Sequence, residues 1–173
     1  MSSLLEQVLA YHPDEKDYKE SVKGFRGEYR FLSNFHPTRC YYKGKIYPSS
    51  EHLYVHLKTV GIPDEAFFIS GGDVKRLGRE LPLNPNMTRE EAMLVALTSK
   101  YSDQTMLGKL LQTKGMYLEE TNWWGDIYWG VSDKYGVPLG ENRLGKMLMW
   151  IRDVWSVNKI FSLQEKSDGS IKW

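Results

Sequence analysis

Pro48-Ser49-Ser50-Glu51 constrains this chain more tightly than any other run. Pro48 locks its own φ and pushes Tyr47 out of the helical region. Ser49 or Ser50 can then act as N-cap, its hydroxyl accepting from an unpaired first-turn N–H. Glu51 falls in the first turn, where the helix dipole favours a carboxylate. The run therefore predicts a turn that enters a helix through His52-Leu53-Tyr54-Val55-His56-Leu57-Lys58. On such a helix Glu51, Tyr54, Val55 and Lys58 share one face, and Leu53 and Leu57 another. Glu51 and Lys58 lie two turns apart, about 10 Å along the axis. That is long for a simple ion pair and suits two polar groups reaching into one cleft. The alternative is an amphipathic helix with both groups solvated.

Length and composition bound the rest. A chain of 173 residues with 41% hydrophobic content is expected to form one domain with a real core. Six Trp and eleven Tyr supply buried area and also stacking surfaces for planar ligands. A net charge of +1 marks the chain as a whole neither for nucleic acid nor for a membrane surface. The single cysteine, Cys40, excludes an intrachain disulfide. The acidic N-terminal residues Glu6, Asp14 and Glu15 do not suit a signal peptide, and no stretch is long and apolar enough to span a bilayer. A cytoplasmic protein is the expectation.

Periodicity predicts a predominantly helical α+β chain with a small hairpin. A short helix is expected from Ser2 to Tyr11, then a charged surface connection from Asp14 to Lys23. Lys43-Gly44 marks a hairpin turn within Arg39–Tyr47. Asp64–Ile69 reads as a short helix, and Gly71-Gly72-Asp73 opens another through Arg79. Paired glycines at a helix start can admit an anion, with Lys75, Arg76 and Arg79 nearby; a solvated basic helix is the plain alternative. Thr88 and Glu91 form a capping box ahead of a scaffold helix, and a second scaffold helix follows from Asp103 to Gln112. Met116–Thr121 suggests a strand. Trp123, Trp124 and Trp129, beside Asp126, make a loop too polar and kinked for a core strand. The last long helix begins near Asn142-Arg143 and runs to Trp155.

Familiar motifs fail. His52 and His56 have zinc-ligand spacing, but Leu53 stands where a metalloprotease needs Glu. P-loop and dinucleotide glycine patterns are absent, as is a nucleophile elbow.

The blocks Phe31-Leu32-Ser33-Asn34-Phe35, Gly44 to His52, Lys75-Arg76-Leu77-Gly78-Arg79, Asp126-Ile127-Tyr128-Trp129-Gly130 and Gly140 to Gly145 occur in an order and spacing that resembles the YbiA-like, or NADAR, family. The resemblance runs from about Gly24 to Trp155. It implies a single compact YbiA-like domain at 24–157, flanked by an N-terminal helix and connection (1–23) and a tail (158–173). It further implies an N-glycosidase acting on riboflavin-pathway intermediates or on ADP-ribosylated guanine in DNA, with no metal and no cofactor. Glu51, Lys58 and Asp126 are then the expected catalytic residues. Phe31, Asn34, Phe35, Arg76, Arg79, Trp129, Asn142 and Arg143 are expected to bind the substrate. A non-catalytic reader of ADP-ribose or nucleotides is the alternative. Trp123 and Trp124 depart from the family pattern.

Overall fold

The computed structural model describes residues 3–159, so the expected tail lies outside the described residues apart from its first two positions. The architecture is α+β with helices dominant. The α-helices are α1 (Leu4–Leu9), α2 (Ser50–Lys58), α3 (Gly71–Glu80), α4 (Arg89–Lys100), α5 (Gln104–Gln112) and α6 (Arg143–Trp150). Short strands are β1 (Glu20–Lys23), β2 (Cys40–Tyr42), β3 (Lys45–Tyr47), β4 (Met116–Glu119), β5 (Thr121–Asn122) and β6 (Val131–Ser132). No helix among the described residues is long and apolar enough to cross a membrane. Packing divides the described residues into two units: one holds residues 3–7 and Phe25–Met106, the other Val8–Gly24 and residues 107–159.

In the first unit, α2 packs against both α3 and α4, and β2 packs against α4. Ser49 is the N-cap of α2, its hydroxyl oxygen accepting from the His52 N–H at 3.3 Å. Every α2 residue from Ser50 to Val55 is buried, as is Leu57. The helix is thus central rather than amphipathic, because neighbours cover both the leucine face and the Glu51–Tyr54–Val55 face. The β2–β3 hairpin turns at Lys43 (φ 45°) and Gly44 (φ 79°), the left-handed pair that a two-residue hairpin turn needs. The capping box at Thr88 is complete: Glu91 N–H donates to the Thr88 hydroxyl, and the Thr88 N–H donates to the Glu91 carboxylate at 2.7 Å.

Lys100, the last residue of α4, is fully buried. Its Nζ donates to the Ser33 carbonyl at 2.7 Å. Burial pushes its pKa from an ordinary 10.5 down to about 7, while Cys40 pulls weakly the other way. Between those two values the unfolded chain holds a proton that the folded chain does not. Stability therefore rises with pH across that window, and below it the full cost of burying the ammonium remains. The cost is on the order of 4 kcal/mol. Urea unfolding should show wild type gaining stability between about pH 7 and about pH 10, and Lys100→Met should flatten much of that rise.

In the second unit, β1 pairs in parallel with β4, from Glu20 against Met116 to Lys23 against Glu119. The expected surface connection therefore contains a strand. Only Val22 of its four residues is buried, so no apolar period announces it, and the pairing partner decides. β5 and β6 pair in parallel as well, and α6 packs on β4. A π-helical turn, Ile151–Trp155, continues α6 and carries the buried Arg152 inward. Arg152 donates to the carbonyls of Thr113 and Met116, each at 2.8 Å, and pairs with Asp153 at 2.7 Å.

Candidate active site

The first unit brings Glu51 and Lys58 together electrostatically on one helix. Glu51 is 5% exposed, so it is not a solvated surface acid. Its N–H donates to the Asn34 carbonyl at 3.1 Å, which fixes the helix start to the preceding loop. Lys58 ends α2 and is half-buried, with Nζ 4.6 Å from the centre of the Tyr54 ring. Its backbone carbonyl accepts from Asn84 N–H at 2.8 Å, and the Asn84 side-chain amide donates to the Leu57 carbonyl at 2.9 Å. Asn84 thereby ties down the helix end that carries the lysine.

Burial holds the Lys58 ammonium below the usual lysine range. The Glu51 charge pulls it back up, and Lys75, Arg89 and Arg79 push it down again. Lys75 and Arg79 come from α3 and Arg89 from the first turn of α4. Arg89 lies in a helix expected to be scaffold only; its contribution arises from where α4 packs. Arg76 is placed differently: it is exposed and pairs with Asp73 at 2.6 Å.

The glycines of α3 serve packing. A Cβ at Gly78 would lie 2.7 Å from Val55 Cγ1 and 3.6 Å from Lys58 Cε, so this glycine lets α3 approach α2 beside the lysine. A Cβ at Gly71 would lie 2.7 Å from the Phe35 ring. The expected anion site at the α3 start is met by Ser70 and Asp73 instead: the Ser70 hydroxyl donates to Asp73 at 2.7 Å and accepts from the Asp73 N–H at 3.1 Å.

The Phe31–Phe35 segment splits its residues between core and site wall. Phe31 is buried. Phe35 is half-buried, against Gly71 and with its ring centre 5.6 Å from Lys75 Nζ. The Asn34 side chain is engaged within the fold: its oxygen accepts from the Ser50 hydroxyl at 3.0 Å, and its amide meets Met93 Sδ at 3.2 Å.

His52 and His56 do not form a metal pair. His52 Nε2 donates to the Ile69 carbonyl at 3.0 Å, and its Nδ1 hydrogen-bonds with the Ser49 hydroxyl at 2.7 Å, so both ring nitrogens are engaged within the fold. Burial holds the His56 pKa down, and its ring lies 5.2 Å from that of Tyr47. Among the described residues, no group of three or more His, Cys, Asp or Glu is placed to hold a metal ion.

The second unit holds the other expected residues. Asn122 shapes the tryptophan loop by donating to the Asp126 carbonyl at 2.7 Å and accepting from the Asp126 N–H at 3.0 Å. Asp126 Oδ1 accepts from the N–H groups of Tyr128 and Trp129, at 3.1 and 2.9 Å, and so closes a turn. Trp129 is half-buried and meets the Tyr128 ring edge-on at 5.0 Å. The Arg143 guanidinium lies 4.4 Å above the Tyr128 ring centre and pairs with Glu141 at 2.7 Å. Trp123 and Trp124 are 62% and 44% exposed, their rings edge-to-face at 5.0 Å.

Asn142 is an anchor. It sits at φ 50°, the left-handed region that Asn tolerates, and is 2% exposed. Its oxygen accepts from Glu120 N–H at 3.1 Å, and its amide donates to the Leu118 carbonyl and the Tyr117 hydroxyl at 2.9 and 3.2 Å. Asn142→Ala should cost about 3 kcal/mol in chemical unfolding, because it strands buried partners and adds left-handed strain. Loss below about 0.5 kcal/mol would contradict the anchoring role.

The NADAR domain family matches residues 19–155. The NMR structure of the E. coli protein YbiA is similar to this chain with a TM-score of 0.68 and 26% identity, over 87% of this chain and 92% of that one. A search of functionally curated proteins returned no match. The match starts at residue 19, close to the strand β1 that pairs with β4. With its helical α+β fold, its buried Glu51 and its spacing of motifs, the chain belongs to the NADAR domain family, whose members are N-glycosidases.

Proposed function

We infer that this protein hydrolyses the bond between ribose C1 and an exocyclic amine, either in phosphoribosylamino-pyrimidine intermediates of riboflavin synthesis or in ADP-ribosylated guanine. The observation that carries this reading is a half-buried Lys58 with a lowered pKa, on the same helix as a buried Glu51. A reader of nucleotides needs no such amine, whereas a nucleophilic lysine must be deprotonated. The three cations acting on Lys58 suit a phosphorylated substrate, and a diphosphate uses them more fully.

The chemistry follows from the glycosylamine. The nitrogen lone pair forms C1=N as the C1–O4 bond opens, and Glu51 protonates the ring oxygen. The neutral Lys58 amine adds to C1. A proton passes from the lysine nitrogen to the departing nitrogen, the original C1–N bond breaks, and the base leaves as a free amine. Glu51 then takes a proton from water as it adds to the Lys58–C1 imine. Collapse releases the lysine and the sugar aldehyde, with one water consumed overall.

The test offers a 5-phosphoribosylamino-pyrimidine and DNA bearing ADP-ribosyl-guanine in parallel, with Glu51→Gln as control, and reads the released sugar by mass spectrometry. Ribose 5-phosphate from the first or ADP-ribose from the second supports the reading and names the substrate. Release from neither, with tight ADP-ribose binding, would replace it with the reader.

A further inference from the structure

Lys100 has no part in that chemistry, yet its surroundings lead to Glu51. Its amine is fully buried, an arrangement that places a titratable nitrogen among Cys40 of β2, the Tyr101 ring and the loop before Asn34. Cys40 is itself buried, and burial pushes its thiol up to about 11, so no anion balances the amine from that side. The Tyr101 hydroxyl is likewise held neutral by burial and donates to the Phe31 carbonyl at 3.5 Å. The lysine directs its nitrogen at one backbone atom, the Ser33 carbonyl, at 2.7 Å.

The next residue, Asn34, grips the first turn of α2. Its carbonyl accepts from the Glu51 N–H at 3.1 Å and from the Ser50 hydroxyl at 3.3 Å. Its side-chain oxygen takes the same hydroxyl at 3.0 Å. A short chain of hydrogen bonds thus runs from Lys100 through the Ser33–Asn34 backbone to the backbone nitrogen of Glu51. A methylene chain in that place would pack as well and avoid burying an amine. The nitrogen is therefore unexplained by stability alone.

We propose that Lys100 is a positioning residue for Glu51, holding the Ser33–Asn34 backbone so that the first turn of α2 aims the carboxylate at the reacting sugar. The inference rests on Glu51 being the proton-transfer group of the proposed reaction. Lys100 does not touch substrate; it acts through the loop. A misplacement of about 1 Å at a catalytic group is enough to cost on the order of a hundredfold in rate.

The experiment is a double-mutant cycle on single-turnover rate with whichever substrate is cleaved, using Lys100→Met, Glu51→Gln and the pair. Lys100→Met should lower the rate about ten- to a hundredfold with KM little changed. It should add little to the loss in the Glu51→Gln background. The same variant should unfold at equal or higher urea at acidic pH, a combination that general loosening of the fold would not give. If Lys100→Met does not hold its fold, Ser50→Ala removes the hydroxyl that the Asn34 carbonyl and side chain hold, loosens the same grip on the first turn with the lysine in place, and should show the same non-additivity. Full activity in the folded Lys100→Met protein, or losses that multiply with Glu51→Gln, would overturn the proposal. A Glu51→Gln protein with unchanged turnover would instead remove the reading beneath it.

Discussion

Lys58→Ala is expected to lower kcat/KM by about a thousandfold or more, on the order of 4 kcal/mol of transition-state stabilisation. Lys58→Arg does not restore it, because a guanidinium stays protonated and cannot attack C1. The expectation follows from the environment of the amine. Desolvation favours neutral Lys58, Glu51 opposes this, and Lys75, Arg89 and Arg79 reinforce it. The rate should rise with pH through the lowered Lys58 pKa, since the proposed nucleophile is the neutral amine. Replacing Lys75 or Arg79 with Gln removes a neighbouring positive charge, raises that pKa and moves the rise to higher pH. Residual activity of Lys58→Ala within about tenfold of wild type would mean that water attacks directly, with no lysine adduct.

Glu51→Gln is the second large effect, about a hundred- to ten-thousandfold on kcat, the usual range for a general acid or base. It carries a signature beyond the loss of rate. Glu51 raises the pKa of Lys58, so neutralising it lets the lysine titrate at lower pH. The residual activity should therefore turn on at a lower pH than in wild type. A pH profile unmoved by Glu51→Gln would separate the two groups and contradict their shared site.

Features whose chemistry is local were legible from sequence. Thr88 and Glu91 complete each other within four residues, and Lys43-Gly44 takes the left-handed conformations its hairpin demands. Pro48 and Ser49 likewise set the start of α2. What those residues could not announce is that α2 is covered on both faces, since burial depends on where α3 and α4 come to rest. β1 was hidden for the same reason: its partner β4 lies far along the chain.

The site was legible as residue types more than as partners. Asn34 and Asn142 were expected to bind substrate; which groups of the fold their amides also satisfy is not written in the sequence. Here Asn34 holds Ser50 and Met93, and Asn142 holds Glu120, Leu118 and Tyr117. Arg89 escaped notice because its helix carried a plain core stripe. Lys100 had a signal that could have found it. It continues the buried row of Met93, Ala96 and Leu97 at helical spacing, where an amine is out of place.

The most direct measurement is reductive trapping during turnover. Borohydride added to the reacting protein reduces a sugar imine to a stable amine, and peptide mass spectrometry locates it. The expected mass increase equals the sugar-phosphate or ADP-ribose aldehyde less one oxygen (water lost on forming the imine, two hydrogens gained on reduction), on Lys58 and dependent on substrate. Catalytic release of sugar with Lys58 unlabelled, and with Lys58→Ala still active, would contradict it.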